Sequence, residues 1–338
     1  MEETILNVVD LKKWFPVNLG FFESLMSTKQ LFVRAVDGIS FDVKKGEIFG
    51  LAGESGSGKT TTGRMVVKLI SPTSGKIQFH QKDIGKLSDR EFKPYRKKIQ
   101  IIFQDPYESL NPKMTIQDTI SEPLRVMGEK DEAKILGVVN KALEDVELSP
   151  PDEFVLRYPH ELSGGQRQRV ATARTLTLQP EFIVADEPVS MLDVSIRAEI
   201  LNLMLDLVKK YKVSFLYITH DIALSRHICD RLAVMYLGKI MEKGPVDELV
   251  LEPLHPYTKA LIAAIPVPDP ESRRTEVVVK GEIPSPINPP SGCRFHTRCP
   301  AYIGDICRTS EPPLIDVGKD HYVACHLYTE KASKVAGI

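Results

Sequence analysis

The stretch GESGSGKT, Gly53 to Thr60, follows a short apolar run, Ile48–Ala52, and leads into a helix-like stretch. It fits G-x-x-x-x-G-K-[ST] in the strand-loop-helix context that this motif requires. Glycines let backbone amides turn inward around phosphate oxygens, and the following helix directs its positive end at them. Lys59 is long enough to reach the β- and γ-phosphates, and the Thr60 hydroxyl suits Mg²⁺. The stretch Gly53, Glu54, Ser55, Gly56, Ser57, Gly58, Lys59, Thr60 and Thr61 is therefore the candidate phosphate site. Alone, it implies a nucleotide and nothing narrower.

Outward from the loop, Ile48–Ala52, Phe182–Ala185 and Phe215–Ile218 read as short buried strands, rich in β-branched and aromatic residues and bounded by polar or Gly-rich turns. Helical patterns lie between them. Ile135, Val138, Val139, Ala142, Leu143 and Val146 recur at steps of three and four and share one face. A second helix is expected from about Val194 to Tyr211, with lysines near its negative pole. Strands alternating with helices predict an α/β fold with a parallel core. From Met114 to Val146 helix replaces alternation, which suggests an inserted helical subdomain. After Gly244 prolines crowd IPVPDP and GEIPSPINPPSG, so a boundary is expected near 245, followed by a helix around Tyr257–Ile265, a Pro-rich connection and a tail that holds four of the five cysteines.

The 338 residues exceed a comfortable single core and suggest two domains. Apolar residues make up 42% and charged residues 26%, which argues against dominant disorder. A formal charge of -1 provides no field for nucleic acid. The start, MEETILNVVD, is acidic and does not read as a signal peptide. No run approaches the roughly eighteen to twenty apolar residues that span a bilayer. A reducing cytoplasm is expected, and any membrane role would pass through partner chains.

LSGGQ, Leu162 to Gln166, lies shortly before FIVADEP, Phe182 to Pro188. A Ser-Gly-Gly at a helix start offers an anion a hydroxyl, unhindered amides and the helix dipole, with Ser163 a good cap. With the phosphate loop, this ordered set resembles the ATP-binding subunit of ABC transporters over nearly the whole chain. The resemblance implies a P-loop ABC ATPase core with a parallel sheet (1–245), a helical subdomain (about 105–178) and a small cysteine-bearing extension (246–338).

It also implies roles. Two subunits pair head to tail, so Ser163, Gly164, Gly165, Gln166 and Asp193 of one face the ATP held by the other. Asp186, ending a buried strand, resembles the Walker B carboxylate that holds Mg²⁺ together with Thr60 and Gln104. Glu187 resembles the catalytic carboxylate, Gln104 in IIFQDP the Q-loop glutamine, SMLD (Ser190 to Asp193) the D-loop, and His220 the switch histidine. An aromatic residue near KKWFPV is expected to stack on adenine, with Phe15 preferred over Trp14. The segment NLGFFESLMSTKQLF, an insertion, suggests no role.

FQDPYESLNPKMT, RYPHELSGGQRQRV, HPYTKALIAAIPVPDP and the tail resemble the dipeptide and oligopeptide importer branch, and GGQRQRV with EPVSMLDVS resembles its F-type subunit. That implies a second, D-type ATP-binding subunit, two transmembrane permease subunits and an extracellular or periplasmic substrate-binding protein, with this chain peripheral on the cytoplasmic face of the inner membrane. Oligosaccharide and nickel importers of the same branch stay open, as does a soluble ABC ATPase acting on nucleic acid. Tyr107, Leu110 and Met114 are candidates for a groove receiving a permease helix. Arg167 and Arg169 read as partners of nearby carboxylates, and Cys229 as a buried apolar residue.

The tail, CRFHTRCPAYIGDIC with Cys325 beyond it, spaces its thiols as C-x5-C-x7-C and then seventeen residues. The compartment disfavours disulfides. Zinc is possible, although close C-x2–4-C pairs are absent, and four thiolates also suit an iron–sulfur cube. The resemblance favours a 4Fe-4S cluster on Cys293, Cys299, Cys307 and Cys325, with His296 and His326 as alternative ligands, acting as a staple for a small domain.

Overall fold

The computed structural model describes residues 3–17, 30–265 and 281–329. Most of the insertion, 18–29, and the connection containing PVPDP, 266–280, lie outside the described residues. In chain order the strands are β1 (Thr4–Pro16), β2 (Phe32–Lys44), β3 (Ile48–Ala52), β4 (Ser74–Phe79), β5 (Lys82–Asp83), β6 (Ile99–Ile102), β7 (Phe182–Asp186), β8 (Ser214–Thr219), β9 (Arg231–Tyr236), β10 (Lys239–Pro245), β11 (Ile315–Asp316) and β12 (Tyr322–Val323). The chain forms two compact units, each assembled from separate stretches.

One unit comprises Met1–Ile5, Val43–Glu47 and Leu87–Ile218. Its centre is a parallel ribbon in which β6 pairs with β7 and β7 with β8. β7 and β8 are buried along their whole length, the pattern of strands covered on both faces. Helices Ile116–Val126, Glu132–Asp145 and Gly164–Leu176 pack on one another. The expected periodic face is seen in Glu132–Asp145, where Ile135, Val139, Ala142 and Leu143 are buried. Asp131 starts this helix by accepting the amides of Ala133 and Lys134. The helix Val194–Tyr211 has the expected limits and ends where Lys212 turns left-handed, φ 52°. Lys210 in its last turn pairs with Asp145, 2.6 Å away.

The other unit comprises Leu6–Asp42, Ile48–Lys86 and Thr219–Ile338. Here β3 and β9 pair in parallel, while β9–β10, β10–β12 and β12–β11 are antiparallel, so the sheet is mixed. A separate sheet in the order β2-β1-β4-β5 was not foreseen, because its long strands mix exposed and buried positions irregularly. Beyond β10, helix Val246–Leu251 precedes Pro256–Ala263, which is the expected helix begun and ended slightly earlier. Strand β12 adds the tail to β10, with Glu242 opposite Val323. Cys229 is buried, as expected.

Glu242, fully buried, accepts the amides of Leu254 and His255 at 2.8 and 2.9 Å and lies 2.7 Å from Nε2 of His321. His255 Nδ1 in turn accepts the Tyr257 amide and caps its helix. Burial holds the His255 pKa down at about 4, against 6.5 in the unfolded chain. The folded state binds fewer protons between those values, so this contribution is intact above pH 6.5 and lost as pH falls toward 4. His255→Asn retains a capping oxygen that does not titrate. Denaturation midpoints measured from pH 7 down to about 4 should fall more steeply for the wild type than for H255N; parallel curves would contradict this account.

Candidate nucleotide-binding site

The phosphate loop leaves β3 and turns through Gly53, Gly56 and Gly58, at φ 147°, 78° and 106°. A Cβ on Gly53 would stand 2.2 Å from the carbonyl oxygen of Met235, and one on Gly58 would stand 2.2 Å from that of Ala35. At Gly56 the same atom would meet open space. Gly53 and Gly58 are thus imposed by backbone packing as well as by conformation. Gly58 caps the helix Lys59–Val66 without a side-chain hydrogen bond, so no side chain occupies the helix start. Lys59, buried, donates Nζ to the carbonyl oxygens of Gly53 and Glu54 at 2.7 and 3.0 Å. Ser55 is exposed, and Thr60 and Thr61 are half-buried.

Residues distant in sequence hold this loop. The Glu54 amide donates to the Tyr257 hydroxyl at 2.9 Å, and the Glu54 carboxylate pairs with Arg298 at 3.0 Å. Both partners lie in stretches quoted above for the family resemblance, but neither was a candidate site residue. Trp14 donates its indole N–H to Asp37 and lies under the Arg34 guanidinium, 4.7 Å from the ring centre. Phe15, exposed and faced by Lys13 at 4.9 Å, is the aromatic residue whose ring is not built into such a network. His220, exposed, follows β8.

In the other unit, β7 ends at buried Asp186, and Glu187 follows with φ 47°, a left-handed conformation uncommon for a side chain of this type. The Glu187 amide donates to Ile218 of β8 at 3.0 Å. Its carboxylate accepts from Gln104 Nε2 at 3.1 Å, so two expected site residues from distant motifs meet directly. Ser163 and Gln166 form a reciprocal capping box over the helix Gly164–Leu176. A Cβ on Gly165 would come within 2.7 Å of Ile196, so this glycine also serves the packing of that helix start. Asp193 is exposed and does not cap its helix, and its neighbours Met191 and Val194 are exposed apolar residues.

Two local expectations change. Arg169 pairs with Glu147 and Glu199 as anticipated, but Arg167 donates to the Leu162 carbonyl and stacks 3.8 Å over the Tyr107 ring. Tyr107 is 63% exposed and Met114 half-buried, whereas Leu110 at 2% belongs to the core and cannot line a groove.

The four tail thiols form no disulfide and act on one another electrostatically. Among the described residues, no three His, Cys, Asp or Glu side chains are gathered as a metal site. Burial favours the neutral form of these thiols. It pushes Cys293 up to about 12 and Cys325 to about 11, each against a lowering backbone hydrogen bond, while the neighbouring thiols add to the rise. His296 and His326 face backbone oxygens, of Cys293 and Ser310 respectively.

The ABC transporter model matches residues 36–190, and the C-terminal region model of oligopeptide/dipeptide transporters matches 241–307. Similarity to the oligopeptide transport ATP-binding protein AppF of Bacillus subtilis reaches 48% identity over 336 residues, covering 97% of this chain and 98% of AppF. The chain belongs to the ABC transporter family. Solved ABC cassettes share its fold. CbiO1 of Clostridium perfringens, part of the transporter complex cbiONQ, is 28% identical with a TM-score of 0.63, over 74% of this chain and 92% of that one. The cassette MJ0796, in a post-hydrolysis dimer bound to ADP and Pi, is 26% identical with a TM-score of 0.62, over 72% and 99%. The α/β architecture is that of an ABC ATPase, and the chain is an ATP-hydrolysing cassette. Among the described residues no helix is long and apolar enough to cross a membrane.

The loop geometry makes a graded prediction for this ABC cassette. Gly58→Ala, blocked by a backbone oxygen, should abolish ATP binding, whereas Gly56→Ala should weaken it by about tenfold, the cost of a left-handed residue alone. Fluorescent-ATP titration of the two variants checks this, and equal losses would contradict it.

Proposed function

We propose that the chain is the F-type ATP-binding subunit of a di- or oligopeptide importer. The observation that carries this reading is the near full-length likeness to AppF, whose name assigns it to oligopeptide transport, with the tail included in the match. In this reading residues 1–245 form the ATPase domain, 105–178 its helical subdomain and 246–338 the extension. The partners are a D-type ATP-binding subunit, two permease subunits and a substrate-binding protein, and the place is the cytoplasmic face of the inner membrane.

The residue roles follow from the family resemblance. Lys59 and the amides of Gly53–Thr61 bind the phosphates, and Phe15 stacks on adenine. Thr60, Asp186 and Gln104 present oxygen atoms, the donor type Mg²⁺ prefers, and would hold it. That ion, when bound, supplies charge neutralisation. Glu187 orients and polarises the attacking water, and the Gln104 hydrogen bond supports this by fixing its carboxylate. His220 contacts the γ-phosphate. Ser163, Gly164, Gly165, Gln166 and Asp193 serve the ATP on the partner subunit. ATP then closes the subunit pair, closure moves the permeases, and hydrolysis by in-line attack of water reopens it.

For the tail the reading is a structural 4Fe-4S cluster on Cys293, Cys299, Cys307 and Cys325, supported by the donor chemistry of four cysteines that form no disulfide. No transport step passes through it. Iron analysis and visible absorption of anaerobically prepared protein should show about four irons per chain; a colourless, iron-free protein would overturn it.

In the membrane complex, Glu187→Gln should retain ATP binding while turnover falls by at least about a hundredfold, the usual worth of a general base. Unchanged turnover would refute the role of Glu187. Hydrolysis stimulated by nucleic acid and indifferent to the permeases would refute the importer.

A further inference from the structure

The segment between Cys293 and Cys299 carries two arginines, and each ends on a carboxylate beside an element assigned to ATP. Arg298 reaches Glu54 of the phosphate loop at 3.0 and 3.5 Å, with the Tyr236 hydroxyl 3.4 Å from the same guanidinium. The side chains are 11% and 26% exposed, so the pair is largely withdrawn from water. Arg294 reaches Asp37 at 2.6 Å, with both side chains under 10% exposed. The other carboxylate oxygen of Asp37 takes the Trp14 indole, next to Phe15. Between the arginines, Phe295 is fully buried, its ring centre 5.4 Å from that of Tyr236 and 5.3 Å from that of Tyr257. Tyr257 is also the residue that takes the Glu54 amide. One short segment is thus fixed at three points, two of them salt bridges to the nucleotide side.

The electrostatics give these contacts a purpose. Glu54 sits in a loop that must receive a polyanion, and an unpaired carboxylate there would repel it. A guanidinium in forked contact removes that repulsion and holds the loop's entrance in place. We infer that Arg298, anchored by the cysteine-bearing segment, is a positioning residue of the phosphate loop that acts through Glu54, with Arg294 steadying the Trp14–Phe15 strand through Asp37. The inference rests on the assignment of Gly53–Thr61 to ATP. The extension then does more than tie off the chain, since ATP affinity depends on its being folded.

The test uses the full chain assembled with its partner subunits, with ATPase kinetics and fluorescent-ATP binding measured together. Arg298→Ala should raise the KM and Kd for ATP about tenfold, equivalent to about 1.4 kcal/mol, and leave kcat nearly untouched. R298K should recover part of the affinity. Adding Glu54→Gln to R298A should recover most of it, because the repelling charge is gone; a purely structural role for Arg298 would not be rescued this way. Lys319→Ala, which breaks the exposed pair with Glu248 elsewhere on the extension, should change nothing. An unchanged KM in R298A, or a double variant as weak as R298A, overturns the inference. If R298A does not fold, R298A/E54Q must match E54Q alone, and a higher KM in the double variant overturns the inference. Lys59→Ala separates the two levels: if it binds ATP like the wild type, the loop assignment itself fails and the inference falls with it.

Discussion

Two backbone carbonyl oxygens, of Met235 and Ala35, stand where side-chain carbons of residues 53 and 58 would have to be. This close approach of chain to chain is the constraint on which the nucleotide half of the molecule depends. It forces glycine at both ends of the loop, permits φ values that other residues resist, and leaves a helix start without a side-chain cap. Buried Lys59, folded back on the loop's own carbonyls, completes a cradle built for an anion. Glycine serves the signature helix differently. There Gly165 clears Ile196, while the hydroxyl of Ser163 is engaged in the helix cap.

The unit that holds β7 and β8 follows the opposite logic. Its fully buried parallel strands give a rigid base, and the residues proposed for catalysis stand at the end of β7. Asp186 closes β7, and Glu187 takes a left-handed conformation while its amide holds β8 and its carboxylate holds Gln104. A strained residue at a strand end, fixed from both main chain and side chain, has little freedom, which suits the water-polarising role proposed for it.

Much of this was legible in the sequence, for identifiable reasons. Runs such as Ile48–Ala52 and Phe182–Ala185 are strands because burial on both faces leaves uniformly apolar stretches, and the helix Val194–Tyr211 announces itself by period and ends. Local motifs placed the loop, Gln104, Glu187 and the signature. What escaped were the long β1 and β2, whose exposure alternates irregularly, and contacts that no local pattern encodes. Arg298 and Glu54 are separated by 244 positions, and Arg294 and Asp37 by 257. Spacing revealed the four cysteines but not their surroundings, since the burial that raises the Cys293 and Cys325 thiols is set by distant parts of the chain.

The extension therefore carries four thiols and two arginines that reach Glu54 and Asp37, and the family's coupling of ATP to transport is the claim above both. Uptake of labelled oligopeptide into vesicles reconstituted with this chain, its partner ATPase, the permeases and the substrate-binding protein tests that claim most directly. With ATP on the ATPase side, peptide should accumulate against its gradient and stop when ATP is withheld. Steady ATP hydrolysis without peptide accumulation would contradict the account.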